Sequence, residues 1–368
     1  MTMVIDHLDG SIATIAVYVH LGPDIPKHLL LNIERHSELF PNQKIVLVSN
    51  QDWENLIPES VETFLVPKKD ENSILFDEMS KHLDFSFRNG FWQFTFQRLF
   101  VLETLHRKYP DRSLLHIESD VVLMPNFPWK KFENLRHLAW LPVNRDSDIA
   151  ALVFSPNIAL TQILVEELTI FASQNPSTND MLALRHFALS NANLHKYLPS
   201  TTKSTLRGIH VKHLPESLSE KHFGGVFDPL AFGMWNFGQD PKNFFGIRRR
   251  YFLDESHYID PSRVKLSYMN DGLVDSDGIP IFNLHLHSKD LSLFRINWRS
   301  SLIGGLSSAA TLSKKFNFNL SIFVSLIRQN GLKKTIWEIL SNVKGIKFAE
   351  KYRLGRWIKK FVKKTFKL

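Results

Sequence analysis

Residues 114–128 read LLHIESDVVLMPNFP. The apolar run Leu114–Ile117 suits a buried strand, yet it ends in Glu118-Ser119-Asp120 and resumes at once as Val121–Met124, with Pro125 and Pro128 closing the stretch. In an extended chain, residues two apart point to the same side. Glu118 and Asp120 therefore face together, and two carboxylates on one side repel unless a cation lies between them. A hard divalent cation such as Mg²⁺ or Mn²⁺ takes oxygen ligands and keeps phosphates as further partners. The plainer alternative makes Asp120 a turn cap and Glu118 a solvated side chain.

The flanking sequence sets this strand in a sheet. SIATIAVYVH, KIVLVSN and VETFLVP read as three further strands, the last stopped by Pro67. A helix starts near Pro26, with Leu29, Leu30 and Ile33 as its apolar face. Strand–helix–strand alternation argues for a parallel sheet covered by helices, and such sheets bind ligands outside the carboxyl ends of their strands. Phe91–Leu105 reads as a helix ahead of the acidic strand. LAWLPV and ALVFSP read as later strands, and IALTQILVEELTIFAS as a helix. Asn179 or Asp180 caps the next one.

In this context LLHIESDVVLMPNFP resembles the DxD region of GT-A glycosyltransferases, and FWQFTFQRLFVLETLHRKYPDRS resembles the helix those enzymes place before it. The first acid is Glu here and Asp in the family pattern, so Asp120 matches better than Glu118. The resemblance spans roughly residues 11–290. It implies a Rossmann-like α/β fold with a mixed, mainly parallel sheet flanked by helices, and a metal-dependent transfer from a nucleotide-diphosphate-sugar donor. It further implies Asp120 and Glu118 as metal ligands.

IFNLHLHSK places His285 and His287 two apart, with Lys289 beyond. GT-A enzymes often supply a late His ligand and a basic residue for the leaving diphosphate. His287, closer to the lysine, is the favoured ligand and His285 the alternative; Lys289 is the expected diphosphate contact. Imidazole suits Mn²⁺ better than Mg²⁺. Arg98 stands between diphosphate contact and helix surface. Asp180, at a helix start where the dipole favours its anion, is a candidate base or an N-cap. Asp228 is the other candidate base or acceptor contact. It lies in GGVFDPLAFGMWNFGQDP, which resembles stretches of bacterial polysaccharide glycosyltransferases and offers Phe232 and Trp235 as flat faces for a sugar.

The 368 residues contain no cysteine, which excludes disulfides, thiolate metal sites and a cysteine nucleophile. The net charge of +8 is concentrated in Lys344–Leu368, where ten basic residues face the single acid Glu350. The remainder is near neutral, which speaks against nucleic acid as a partner. LGRWIKKFVKKTFKL carries Leu354, Trp357, Ile358, Phe361 and Val362 on one helical stripe among lysines. Such a helix suits an anionic membrane surface; the alternative is a solvated helix packed on the body.

The start of the chain lacks the basic, apolar and small-residue pattern of a secretory signal, and no apolar run reaches spanning length. The expectation is a catalytic domain over 1–294 and a basic helical extension over 295–368. The enzyme is expected to be cytoplasmic and peripheral at the inner face of the membrane, with Mn²⁺ or Mg²⁺ as cofactor and a glycan or lipid-linked acceptor in bacterial surface-polysaccharide synthesis. The rivals are a membrane-surface binding protein on an inactive GT-A scaffold and a metal-dependent phosphodiesterase. A sugar nucleotidyltransferase is disfavoured because no Gly-rich phosphate loop follows the first strand.

Overall fold

The β-branched runs fold as strands, and their alternating side chains cover two faces of one sheet. The computed structural model describes residues 13–67, 71–84, 90–176, 178–202, 204–207, 220–237, 257–260, 266–269, 272–287, 289 and 291. The strands and helices in its first half are β1 (Ile15–His20), α1 (Lys27–Leu39), β2 (Ile45–Ser49), β3 (Val61–Leu65), α2 (Glu71–Ser80), α3 (Phe91–Lys108), β4 (Leu114–Ile117), β5 (Val121–Leu123), α4 (Trp129–Phe132) and β6 (Leu138–Pro142). There follow β7 (Asp148–Ser155), α5 (Ile158–Gln174), α6 (Asp180–Ser190), β8 (His195–Tyr197), α7 (Glu220–Phe223), α8 (Ala231–Phe237), β9 (Ser267–Met269), β10 (Gly272–Val274), β11 (Pro280–Ile281) and β12 (Asn283–His285).

Seven strands form the main sheet in the order β3-β2-β1-β4-β7-β6-β8. Pairing is parallel from β3 through β4, antiparallel on both sides of β7, and parallel again between β6 and β8. β7 is thus the one reversed strand of this sheet. The expected mixed, mainly parallel Rossmann-like sheet flanked by helices is the fold this chain adopts. Ala16, Tyr18, Leu47, Leu115 and Ile117 pack on one face with residues of α1, α4 and α8. Ile15, Val17, Val46, Val48 and Leu114 pack on the other with residues of α2, α3, α5 and α6. The alternation is the period-two pattern that the sequence carries.

The chain leaves β1 toward β2 on one side, while β4 returns on the other side of β1. That reversal of strand order is the switch point at which open α/β sheets bind ligands, beyond the carboxyl ends of the strands. Glu118 and Asp120 follow the carboxyl end of β4 directly. The 295–368 extension and the amphipathic tail lie outside the described residues. Among the described residues no helix is long and apolar enough to cross a membrane.

Candidate metal centre

β4 ends at Ile117, and a tight turn replaces it: the Glu118 N–H donates to Ala151 O (3.0 Å) and the Val121 N–H to Glu118 O (3.0 Å). This turn presents both acids beyond the sheet. Helix α1 holds it from one side. The Asn32 amide donates to Ser119 O (3.2 Å) and Val121 O (2.8 Å), Arg35 Nη1 donates to Leu123 O (2.6 Å), and His28 Nε2 lies 3.1 Å from the Ser119 hydroxyl. Sequence reading passed over these three supports. Their signal was present, because His28, Asn32 and Arg35 recur at spacings of four and three and therefore share one helix face.

β5 carries the chain onward and pairs antiparallel with β12, so that Val121 stands opposite His285. The Leu286 N–H donates to Asp120 O (2.7 Å) and extends that pairing by one bond. A histidine 165 positions downstream thereby reaches the acidic turn. His285 Nε2 lies 3.4 Å from Asp120 Oδ1 and 3.5 Å from Glu118 Oε2. One ligand atom from each of Glu118, Asp120 and His285 falls within 4.8 Å of the others.

These three donors fit a divalent cation. Two ligands at right angles around an ion about 2.1 Å from each are themselves about 3 Å apart, close to the separations found. Two carboxylates balance a charge of +2. The imidazole is also set in the form a metal needs. Its Nδ1 lies 2.7 Å from Pro229 O, and because a carbonyl oxygen only accepts, Nδ1 must carry the proton. A neutral ring then points its Nε2 lone pair at the carboxylates.

The electrostatics agree with a site built for positive charge. Burial pushes the His285 imidazole down, but Asp120 and Glu118 outweigh it and raise its pKa to about 9. Burial pushes the Asp120 carboxyl up, yet His285, then Lys289 and His287, hold it well below the usual carboxylate range. Glu118 is likewise driven up by burial and brought below its ordinary value by Arg98 and His285, against the opposing charge of Asp120. The same two carboxylates that draw positive charge onto His285 would draw a divalent cation into the space between them.

His285, the alternative ligand at the sequence level, is the one in this cluster; His287, the favoured one, stands beside it, with ring centroids 5.9 Å apart. The two-residue alternation does not carry over because the strand ends at His285. The His287 N–H donates back to His285 O (3.0 Å) and the Lys289 N–H to Leu286 O (2.6 Å), which turns the chain. Lys289 sits in that turn at φ 59°. The left-handed region is costly for a residue with a Cβ, on the order of 1–3 kcal/mol. The turn keeps the Lys289 charge near enough to lower Asp120.

Arg98 points into the protein. Its Nη1 donates to Glu118 Oε1, its Nη2 to Asp180 Oδ2 (2.7 Å), and its Nε to Thr95 O (3.0 Å). The guanidinium is occupied by two carboxylates instead of facing a diphosphate. The longer side chain of Glu118 lets one oxygen meet Arg98 while the other faces His285, so Glu in place of Asp ties the candidate metal site to α3. Asp180 opens α6, but the N-cap is Asn179, whose side chain accepts from the Leu182 N–H (3.0 Å). Asp180 is buried, which raises its pKa against the pull of Arg98. It is the far partner of that arginine.

Asp228 is wholly buried. Its Oδ1 accepts from the Phe232 N–H (2.9 Å), and its Oδ2 accepts from the Gly233 N–H (2.7 Å) and the His285 N–H (3.1 Å). This placement gives it a structural job in place of contact with an acceptor. Phe232 is buried too and Trp235 is half-buried against the core, so Phe232 offers no face to a sugar.

No protein-family model matches the chain, and no curated protein matches it. Solved structures similar to it include the glycosyltransferase PaToxG, at 9% identity over 48% of this chain and 70% of that one, with a TM-score of 0.33. Mouse xyloside xylosyltransferase 1 is similar at 9% identity over 54% and 90% of the two chains, with a TM-score of 0.36. Core-mannan synthase A from Aspergillus fumigatus, in a Mn/GDP form, is similar at 8% identity over 50% and 72%, with a TM-score of 0.35. At these low scores nothing about activity is taken from the likenesses, and the fold rests on the strand order and register described above.

Proposed function

We propose that the chain is a metal-dependent glycosyltransferase of hexosyltransferase type, which moves a sugar from a nucleotide-diphosphate donor to a glycan or lipid-linked acceptor. The observation that carries this reading is the cluster of Glu118, Asp120 and His285 beyond the carboxyl end of β4, at the switch point where open α/β sheets take ligands. The resemblance of residues 114–128 to the DxD region supports it. Glu118, Asp120 and His285 would hold Mn²⁺ or Mg²⁺, whose bound charge would offset that of the donor diphosphate.

The chain's own residues divide the remaining work. Lys289, on the turn after β12, supplies positive charge where the leaving nucleoside diphosphate gains negative charge. Such preorganised charge acts most strongly in a site that excludes water. Arg98 holds the Glu118 carboxylate toward His285, and α1 fixes the backbone of the acidic turn. Acceptor deprotonation is assigned to neither Asp180 nor Asp228, since the first is paired with Arg98 and the second is enclosed.

The test is release of nucleoside diphosphate from a panel of UDP- and GDP-linked hexoses, with Mn²⁺ and with EDTA. Release by the wild type in Mn²⁺ alone is expected. Lys289→Ala should lower turnover about 10²-fold while Mn²⁺ affinity stays within a few fold. If Mn²⁺ binds and no donor in the panel is turned over, the binding-protein reading gains instead.

The role in bacterial surface-polysaccharide assembly, which rests on the resemblance of GGVFDPLAFGMWNFGQDP, and the cytoplasmic, membrane-peripheral location, which rests on the sequence of Leu354–Leu368, belong to the same proposal. Binding of the full chain to anionic vesicles at low salt is the check, with attraction weakening as salt rises. A chain that ignores such vesicles would remove the membrane part alone.

A further inference from the structure

The segment Asp228–Gly233 meets His285 from three directions. The Asp228 carboxylate accepts the backbone N–H of His285 (3.1 Å). Pro229 O, one residue on, accepts the proton of His285 Nδ1 (2.7 Å). Gly233 lies against the His285 main chain so closely that a Cβ built on it would stand 2.0 Å from His285 O and 2.6 Å from His285 C. Any side chain there would push β12 away from α8.

The carboxylate also closes the segment on itself. It accepts from the Phe232 and Gly233 N–H groups, and so caps α8 from inside. Asn283, at the start of β12, completes a two-way tie: its Oδ1 accepts from the Asp228 N–H (3.0 Å) and its amide donates to Asp228 O (2.9 Å). Strand and segment are joined on both sides of the histidine. Of the six hydrogen bonds just described, five begin or end on Asp228 itself.

We infer that Asp228 is a positioning residue, and that Asp228, Pro229 and Gly233 form a clamp that fixes both the place and the tautomer of His285. Metal-binding histidines depend on the partner of their second nitrogen for orientation and basicity, and loss of such a partner typically costs about 10- to 100-fold in metal affinity. Here the partner is a backbone carbonyl, which mutation of its own side chain cannot remove. The sequence therefore controls it indirectly, through the carboxylate one residue earlier and the missing Cβ four residues later. This explains why an acid with no access to solvent stands at position 228: Asn is nearly the same size, but its amide NH₂ would face one of three N–H donors and accept from none.

The inference rests on the metal-site reading, and the experiment separates the two. Mn²⁺ affinity is measured by titration for wild type and Asp228→Asn. The His285 Nδ1 proton is followed in the metal-free proteins by ¹⁵N-histidine NMR. The wild type should show a hydrogen-bonded Nδ1 proton protected from exchange. In Asp228→Asn that signal should be lost or broadened, and Mn²⁺ affinity should fall about 10- to 100-fold, with far-UV circular dichroism unchanged. Gly233→Ala should reproduce both effects by displacing β12.

Equal Mn²⁺ affinity and an unchanged Nδ1 proton in a folded Asp228→Asn protein would overturn the clamp and leave the metal site standing. A wild type that binds no Mn²⁺, but whose Nδ1 proton is lost in Asp228→Asn, would keep the clamp and remove the metal. Global unfolding of both variants would also overturn it, because the segment would then be a requirement of the whole fold and not a support for one histidine.

Discussion

Asp120→Asn is expected to lower Mn²⁺ affinity by more than about 100-fold, beyond the range typical of residues that only support a ligand. The carboxylate is nearly isosteric with the amide, so packing around β5 should survive, and far-UV circular dichroism should match the wild type. What is lost is one of the two negative charges that make the site suit a divalent ion. The His285 ring loses its nearest carboxylate as well, at 3.4 Å. Donor turnover should fall with metal affinity and should not recover in excess Mg²⁺. Unchanged Mn²⁺ affinity in the Asn variant would show that the cation, if bound at all, sits elsewhere.

Arg98→Met should cost about 3–5 kcal/mol of stability, the range found when one partner of a buried ion pair is removed and the other is left uncompensated. Two carboxylates are stranded here, Glu118 and Asp180, and both have side chains largely shielded from water. Methionine fills similar volume, so the loss is electrostatic more than steric. Urea denaturation measures it. Adding Asp180→Asn to Arg98→Met should recover part of the loss, since it removes one stranded charge, and such non-additivity is the mark of direct coupling. Equal stability of Arg98→Met and wild type would contradict the bridge. If Arg98 contacted the diphosphate instead, the variant would lose donor affinity and keep its melting temperature.

The sequence made local structure readable and left long-range pairing hidden. Ile15–His20, Ile45–Ser49 and Val61–Leu65 announce themselves by β-branched runs, and α1 and α3 by their apolar faces. The acidic turn was legible because carboxylates are costly directly after a buried strand. Strand direction was not legible residue by residue. β7 is buried along its whole length, so no alternation marks it as the reversed strand.

Nor did spacing reveal which histidine joins the carboxylates. That depends on the antiparallel pairing of β5 with β12 and on a turn after Leu286, neither of which leaves a local signature. Arg98 was placed on the right helix, but its two carboxylate partners were not legible, because Glu118 and Asp180 lie 20 and 82 positions away in the chain. Asp228 read as a candidate base or acceptor contact. Only the fold shows that its carboxylate is enclosed and holds the main chain of His285.

The central claim is that Glu118, Asp120 and His285 hold a divalent cation which in turn carries a nucleotide diphosphate. Calorimetric titration of the wild type with UDP and with GDP, each in Mn²⁺ and in EDTA, tests it most directly. Binding of at least one of the two nucleotides in Mn²⁺, weakened at least tenfold (about 1.4 kcal/mol) in EDTA, is the expected result. Binding of either with the same affinity in Mn²⁺ and EDTA, or of neither under both conditions, would contradict it.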